Sequence, residues 1–351
     1  MFSLRNILIS IFILMSSLLH SQPDYNKINY LTKPKGIALV YPKDLPLIYE
    51  TNRSELISFY EDLIRLIPNE IEITLIVKSE KIKQELAGKF TENNLTKRIK
   101  CIVLSKTQDI WIKDWAPIFD FKTKAFKKFI YNPFYLSPTK SKPDNISGIE
   151  LQKKIQNEPW VSIDLVLDGG NFITNENDVI ITTNRIIGDN ENKSISEIES
   201  IIKKEFNNCK LLIVPVEPDD ETGHTDGMIR FLTKSDVVVN CYPNDSIHKE
   251  ANDFLNSVCL ELEKALKIKP LRIQSGAIDN TISEGMPSAV GNYINFILLG
   301  DVIIMPKYKG QTNKNIELLK TYFRPENIKE IDCTELAKKG GVLNCITWVY
   351  Y

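Results

Sequence analysis

The chain has 351 residues, 44 Lys+Arg against 45 Asp+Glu and a formal net charge of -1; 43% of it is hydrophobic and 25% charged. Those proportions exclude a disordered chain, a collagen-like chain and a polytopic membrane protein. With no basic excess there is no electrostatic footing for nucleic-acid binding.

The first segment reads as a targeting sequence. Arg5 supplies a short positive start, and Ile7–Leu19 is an apolar run too short to span a bilayer comfortably. His20, Ser21 and Gln22 follow as polar residues. Residues 1–21 are therefore expected to be a cleaved signal peptide and 22–351 one domain. The mature chain is expected to be secreted or periplasmic, with no membrane partner after cleavage. The six cysteines are scattered, with no C-x-x-C pair, so neither a zinc knuckle nor a disulfide framework is indicated.

The elements then alternate. Gly36–Tyr41 reads as a buried strand, Glu55–Ile67 has helical apolar spacing, and Glu72–Val77 reads as strand. Glu80–Phe90 reads as helix and Lys100–Leu104 as strand. This order argues for an α/β chain. Asp120–Pro143, rich in Lys and Pro, reads as a variable loop region.

The second half repeats. Asn171–Phe172 leads through a polar tip to Asp178–Ile181, Arg230–Phe231 to Asp236–Val239, and Asn295–Phe296 to Asp301–Ile304. Each pair reads as a hairpin. A helix follows each one (Ile195–Phe206, His248–Leu266, Asn315–Phe323), and then a strand (Leu211–Val216, Leu271–Gln274, Ile328–Ile331). A weaker copy begins at Ile118–Phe119 with Phe126–Tyr131. A ββαβ unit of about 60 residues cannot close its own core, so several such units are expected to pack about an axis. The leftover strands at both chain ends suggest five modules, one of them completed by Gly36–Tyr41 and the C-terminus.

Polar clusters precede the first strand of each hairpin: WIKDWAP at Trp111–Pro117, LDGGN at Leu167–Asn171, GHTDG at Gly223–Gly227, GNYIN at Gly291–Asn295 and GGVLNCIT at Gly340–Thr347. In a pseudo-symmetric array equivalent positions face one axis. Asp114, Asp168, Asn171, His224, Asp226, Asn295 and Cys345 are therefore expected to converge. Each feature alone has a plain structural reading: Asp114 as a cap, Asp168 as a turn residue, Cys345 as a buried thiol. Their shared place in the repeat is what points to a site.

These motifs resemble those of the agmatine deiminase and bacterial (Porphyromonas-type) peptidylarginine deiminase family, among the guanidine-modifying enzymes. WIKDWAP is similar to W-x-R-D-x-G-P, LDGGN to E-G-G-N, GHTDGMIRF to G-H-x-D-x-x-x-R-F, GNYINF to Y-x-N-F and GGVLNCIT to G-G-x-x-H-C-I-T. The resemblance implies a single-domain, five-bladed ββαβ propeller (pentein) and hydrolysis of a guanidino group. It implies Cys345 as nucleophile, His224 as general acid/base and Asp114 and Asp226 as catalytic carboxylates. Asp114, Asp226, Asp168, Asn171, Asn295 and Trp111 would bind substrate. No metal or organic cofactor is required. The partner is a small-molecule or peptide guanidinium compound, and a homo-oligomer is compatible with the sequence.

A guanidinium is planar, permanently charged and forked in its donors, so a pair of carboxylates suits it. The sequence departs from the family pattern at Lys113 (for Arg), Ala116 (for Gly), Asp168 (for Glu) and Asn344 (for His). Asp168 shortens a carboxylate arm by one methylene. Three other readings stand beside the deiminase: an amidinotransferase, a metal-dependent hydrolase using Glu221, His224 and Asp226, and a non-catalytic binding protein that keeps the fold.

Overall fold

The computed structural model describes residues 23–46, 49, 52–92, 98–155, 159–283 and 285–351. The expected signal peptide lies outside them. Among the described residues no helix is long and apolar enough to cross a membrane.

Eighteen strands follow one another as β1 (Gly36–Val40), β2 (Glu72–Val77), β3 (Ile99–Val103), β4 (Ile118–Asp120), β5 (Ala125–Ile130), β6 (Trp160–Val166), β7 (Ile173–Thr174), β8 (Val179–Thr183) and β9 (Lys210–Val214), then β10 (Ile229–Phe231), β11 (Val237–Cys241), β12 (Leu271–Gln274), β13 (Ile282–Ser283), β14 (Met286–Pro287), β15 (Ile297–Leu299), β16 (Val302–Lys307), β17 (Ile328–Asp332) and β18 (Trp348–Tyr350). They form sheets in the orders β18-β1-β2-β3, β4-β5-β6, β7-β8-β9, β10-β11-β12 and β15-β16-β17, with β13-β14 as a small separate ribbon. In each of the five larger sheets the first two strands are antiparallel and the next pair is parallel. A helical segment makes each parallel crossover, as parallel pairing requires.

The expected strand–strand–helix–strand unit thus occurs at every predicted copy, and the chain ends share one sheet. Gly36 lies opposite Tyr350. A Cβ on Gly36 would fall 2.2 Å from the Tyr350 ring, so only glycine lets this seam close. The Tyr350 hydroxyl then meets Thr74 Oγ1 at 3.0 Å.

The crossover helices bury one stripe. Leu255, Val258 and Leu262 of helix Lys249–Leu266 are buried at helical spacing. Helix Ile195–Glu205 starts from a reciprocal Ser194–Glu197 capping box. The variable-loop expectation for 120–143 is corrected. That segment contains β5 and the start of helix Pro138–Ile155. The helix buries Ser141, Asp144, Ser147, Gly148, Leu151 and Gln152, with Pro143 inside it. A face this small and polar shows no apolar period, which is why the sequence hides it.

One cavity of about 140 Å³ is lined by β4, β7, β10, β15 and β18, the first strand of each five larger sheets. Lys113, Arg230 and Asn344 also line it, whereas their neighbours Asp114 and Cys345 do not.

Candidate active site

Asp114 sits in the single helical turn Ile112–Trp115. Asp109 fixes this turn from below, accepting from the Trp111 amide at 2.9 Å and from Trp115 Nε1 at 3.2 Å. Asp114 Oδ1 accepts the Gly170 amide at 2.9 Å and lies 3.6 Å from His224 Nδ1. On the other side of the imidazole, Nε2 is 3.1 Å from Asp168 Oδ2. Both ring nitrogens of His224 therefore face carboxylates, and all three side chains are buried.

The two glycines between Asp168 and Asn171 make this approach possible. A Cβ on Gly170 would meet His224 Nδ1 at 2.6 Å and Asp114 Oδ1 at 2.7 Å. One on Gly169 would meet the Lys113 carbonyl at 2.0 Å. The shortened arm of Asp168 still reaches the imidazole. Tyr135 adds a second donor to Asp168 Oδ2 at 3.2 Å and packs edge-on against the His224 ring. Asp168 Oδ1 is buried without a partner among the described residues.

A second group assembles around the nucleophile candidate. Asn295 Oδ1 accepts the Asn344 amide at 2.9 Å and lies 3.4 Å from both the amide and the Sγ of Cys345. Asn295 Nδ2 donates to the Asp226 carbonyl at 3.4 Å, and Asn344 Nδ2 donates to Asp226 Oδ2. Asn344, which departs from the family pattern, thereby holds the Asp226 carboxylate. The two groups are joined by the Lys113 amide, which donates to the Cys345 carbonyl at 3.1 Å.

The electrostatics follow from burial and sign. Burial alone would push His224 down, but Asp114, the Asp168 hydrogen bond and Asp226 outweigh it and hold the imidazole at about 10. Burial pushes Asp114 up against the pull of His224. Burial, then Asp226 and Asp114, push the Cys345 thiol well above its ordinary range. Burial lowers Lys113 and Arg230, and in both Asp226 is the leading opposing charge. At neutral pH the imidazole is therefore held protonated and the Cys345 thiol neutral.

Trp111 and Asn171 sit apart from these contacts. A Cβ on Gly341 would lie 2.5 Å from the Trp111 indole, so that ring packs on this glycine ahead of Cys345. Asn171 Oδ1 is spent on the Thr183 amide (2.8 Å), Thr183 Oγ1 (3.0 Å) and Thr225 Oγ1 (2.7 Å). It thereby braces the turn that carries His224 and Asp226, while its Nδ2 is buried without a partner among the described residues. Tyr135 escaped the sequence reading, because it lies in the loop between β5 and helix Pro138–Ile155, outside the motifs that carry the other site residues.

With this geometry in place, comparison with known proteins is informative. The family model for Porphyromonas-type peptidyl-arginine deiminase matches residues 31–350. A Streptococcus mutans sequence provisionally named an agmatine deiminase is 24% identical over 286 residues, 70% of this chain and 75% of that one. Among solved structures, a variant of the C. jejuni agmatine deiminase with substrate bound superposes with a TM-score of 0.75 at 18% identity, covering 92% of this chain and 95% of that chain. The Enterococcus faecalis agmatine deiminase gives 0.71 at 16% identity, covering 95% and 98%. These likenesses show a shared α/β fold, and the family match spans nearly all of the described chain. The chain belongs to the Porphyromonas-type peptidyl-arginine deiminase family.

Proposed function

We propose that this chain hydrolyses a guanidino group of an arginine-derived substrate to a ureido group and ammonia. The observation that carries this reading is the joining of an Asp114–His224–Asp168 group to an Asp226–Asn344–Asn295–Cys345 group by segments far apart in sequence. Asp114 and Asp226 accept the N–H fork of the guanidinium, each charge-assisted bond contributing roughly 1.5–3 kcal/mol. That cation offsets the two carboxylates that disfavour the thiolate, so substrate binding itself activates Cys345.

The Cys345 thiol loses its proton to solvent as the cation binds, and Sγ then attacks the guanidinium carbon. His224 gives a proton to the departing nitrogen, and ammonia leaves as its C–N bond breaks. Water, deprotonated by His224, attacks the resulting thiouronium carbon. The C–S bond breaks as the hydroxyl proton of the adduct passes to the departing sulfur, the thiol returns and the ureido product departs. Asp168 and Tyr135 orient the imidazole through both steps. No step draws on a metal or an organic cofactor.

The wider architecture is part of the proposal. The cavity lined by the first strand of every larger sheet supports five ββαβ blades about one axis, a pentein ring built from residues 22–351 as one domain. Residues 1–21 support export as a cleaved signal peptide. The intact mass of the exported chain checks this: loss of those residues is expected, and a full-length exported chain would disprove cleavage.

The reaction is tested by incubating the purified mature protein with agmatine, arginine and short arginine peptides. Stoichiometric ammonia and a ureido product are expected from at least one of them. A new guanidino compound formed with an amine acceptor would mark an amidinotransferase instead. Binding without any turnover would mark a non-catalytic protein.

A further inference from the structure

The cavity between the first strands is a second polar site, and the reaction does not use it. The five segments that carry the reactive groups each run directly into one of those strands, so the cavity lies behind the cluster. Its volume is about 140 Å³, and one water needs roughly 10–15 Å³ of cavity. It therefore takes an ion together with several waters. Most of its wall is apolar, with Phe119, Phe121, Phe231 and Trp348 among the lining side chains.

Lys113 and Arg230 give this chamber two cations. Arg230 is held in place: Nη1 donates to the Phe296 carbonyl at 2.9 Å, and the guanidinium carbon lies over the Phe296 ring, 4.8 Å from its centroid. The Lys113 ammonium has neither a hydrogen bond nor an ion pair among the described residues. The other polar side chains of the lining are engaged. Asn344 Nδ2 donates to Asp226 Oδ2, and Thr347 Oγ1 donates to the Asn344 carbonyl at 3.2 Å. Thr174 Oγ1 accepts the Glu176 amide at 3.0 Å. The Glu176 carboxylate accepts the Thr32 amide at 2.7 Å and lies 3.4 Å from Lys234 Nζ. Asp226 is the leading opposing charge for both Lys113 and Arg230, but it does not line the cavity, and it is one carboxylate against two cations.

Charge and burial together select the ligand. An ammonium kept from bulk water is costly unless something of opposite sign pairs with it. A guanidinium substrate is repelled by these cations, so the chamber is not a place for the substrate. A dianion such as sulfate gives up too much hydration to enter apolar walls, whereas a monovalent anion gives up far less.

We propose that this cavity is a binding site for a small monovalent anion of the chloride and nitrate class, held between Lys113 and Arg230. Its occupancy is felt at the nucleophile. An anion there cancels positive charge behind Cys345, disfavours the thiolate and slows the reactions of that thiol.

The test needs no turnover, so it stands apart from the deiminase reading. Purified protein is dialysed into a gluconate buffer, whose anion is too large for the cavity, and titrated with chloride while the chloride NMR line width is followed. Excess broadening that saturates in the millimolar range is expected. Nitrate should abolish it, and sulfate at the same concentration should not. Lys113→Met should weaken chloride binding by about tenfold or more, while Lys113→Arg, which keeps the charge, should retain it. In parallel, alkylation of Cys345 by iodoacetamide, read by peptide mass, should slow severalfold in saturating chloride for the wild type and not for Lys113→Met. If Lys113→Met does not fold, the wild-type competition and Lys113→Arg decide the matter by themselves. No saturable broadening in the wild type would overturn the proposal. So would equal displacement by nitrate and sulfate, which would mark a solvent-exposed patch, or undiminished chloride binding in a folded Lys113→Met protein. Chloride binding that leaves Cys345 alkylation unchanged would overturn the link to the nucleophile.

Discussion

Cys345→Ala is expected to abolish ammonia release and to leave the fold in place. The side chain's hydrogen-bonding contact is a weak one, 3.4 Å from Asn295 Oδ1, while the backbone of the segment is held by the Lys113 amide and Asn295. Truncation to a methyl group keeps those bonds, so Tm should move little. Catalysis has no substitute nucleophile: Cys209 and Cys333 are packed in the hydrophobic interior, and none of the other cysteines lies in the cluster. The same thiol has a distinctive titration. Because burial, Asp226 and Asp114 hold it above the ordinary range, alkylation in the free enzyme should be slow at neutral pH and keep rising beyond the pH at which an exposed thiol levels off. Wild-type turnover in the alanine variant would end the covalent mechanism.

His224→Ala is expected to lower kcat by at least ~100-fold, the usual scale of a positioned acid/base group. The imidazole is held at about 10, so at neutral pH it carries the proton that the leaving nitrogen needs. Activity of the wild type should therefore fall as pH rises through about 10, and the variant should lack that limb. The sign for stability is the same. A group raised from 6.5 to about 10 contributes fully below 6.5, and its contribution is lost as pH rises through 10. The variant should accordingly be less stable than wild type at neutral pH, with the gap narrowing in alkali. It also leaves Asp114 and Asp168 facing one another without a cation, which raises Asp114 further. His224→Gln, which restores a donor without a titrating proton, separates the two roles. It is expected to recover stability but not rate; recovery of both would assign the proton transfer to another group.

Much of this molecule is legible before any coordinates. Strands β2 and β12 lie where the apolar pattern places them, and the amphipathic helices 195–205 and 249–266 differ from expectation by a residue. Their buried stripes are made of large aliphatic residues, so the period survives in the sequence. Helix 138–155 leaves no such period, because its inner face is Ser, Asp, Gly and Gln with Leu151 as its one large aliphatic residue. The hairpin β13–β14 was equally hidden, each strand being two residues long.

The sequence by itself determined the α/β order and the repeating unit, and singled out Asp114, Asp168, His224, Asp226 and Cys345 as candidates for one site. It could do so because secondary structure is written in local periodicity, and because one His and one Cys stand at equivalent points of a repeat. Only the tertiary structure decided which neighbour each group acquires. Tyr135 reaches Asp168 across 33 residues of chain, and Asn344 reaches Asp226 across 118. It also set Asn171 Oδ1 against Thr183 and Thr225, and Arg185 against Phe134 at the edge of the cluster. Such pairings depend on the paths of loops between strands. A loop's path is fixed by what it packs against, which no local pattern encodes.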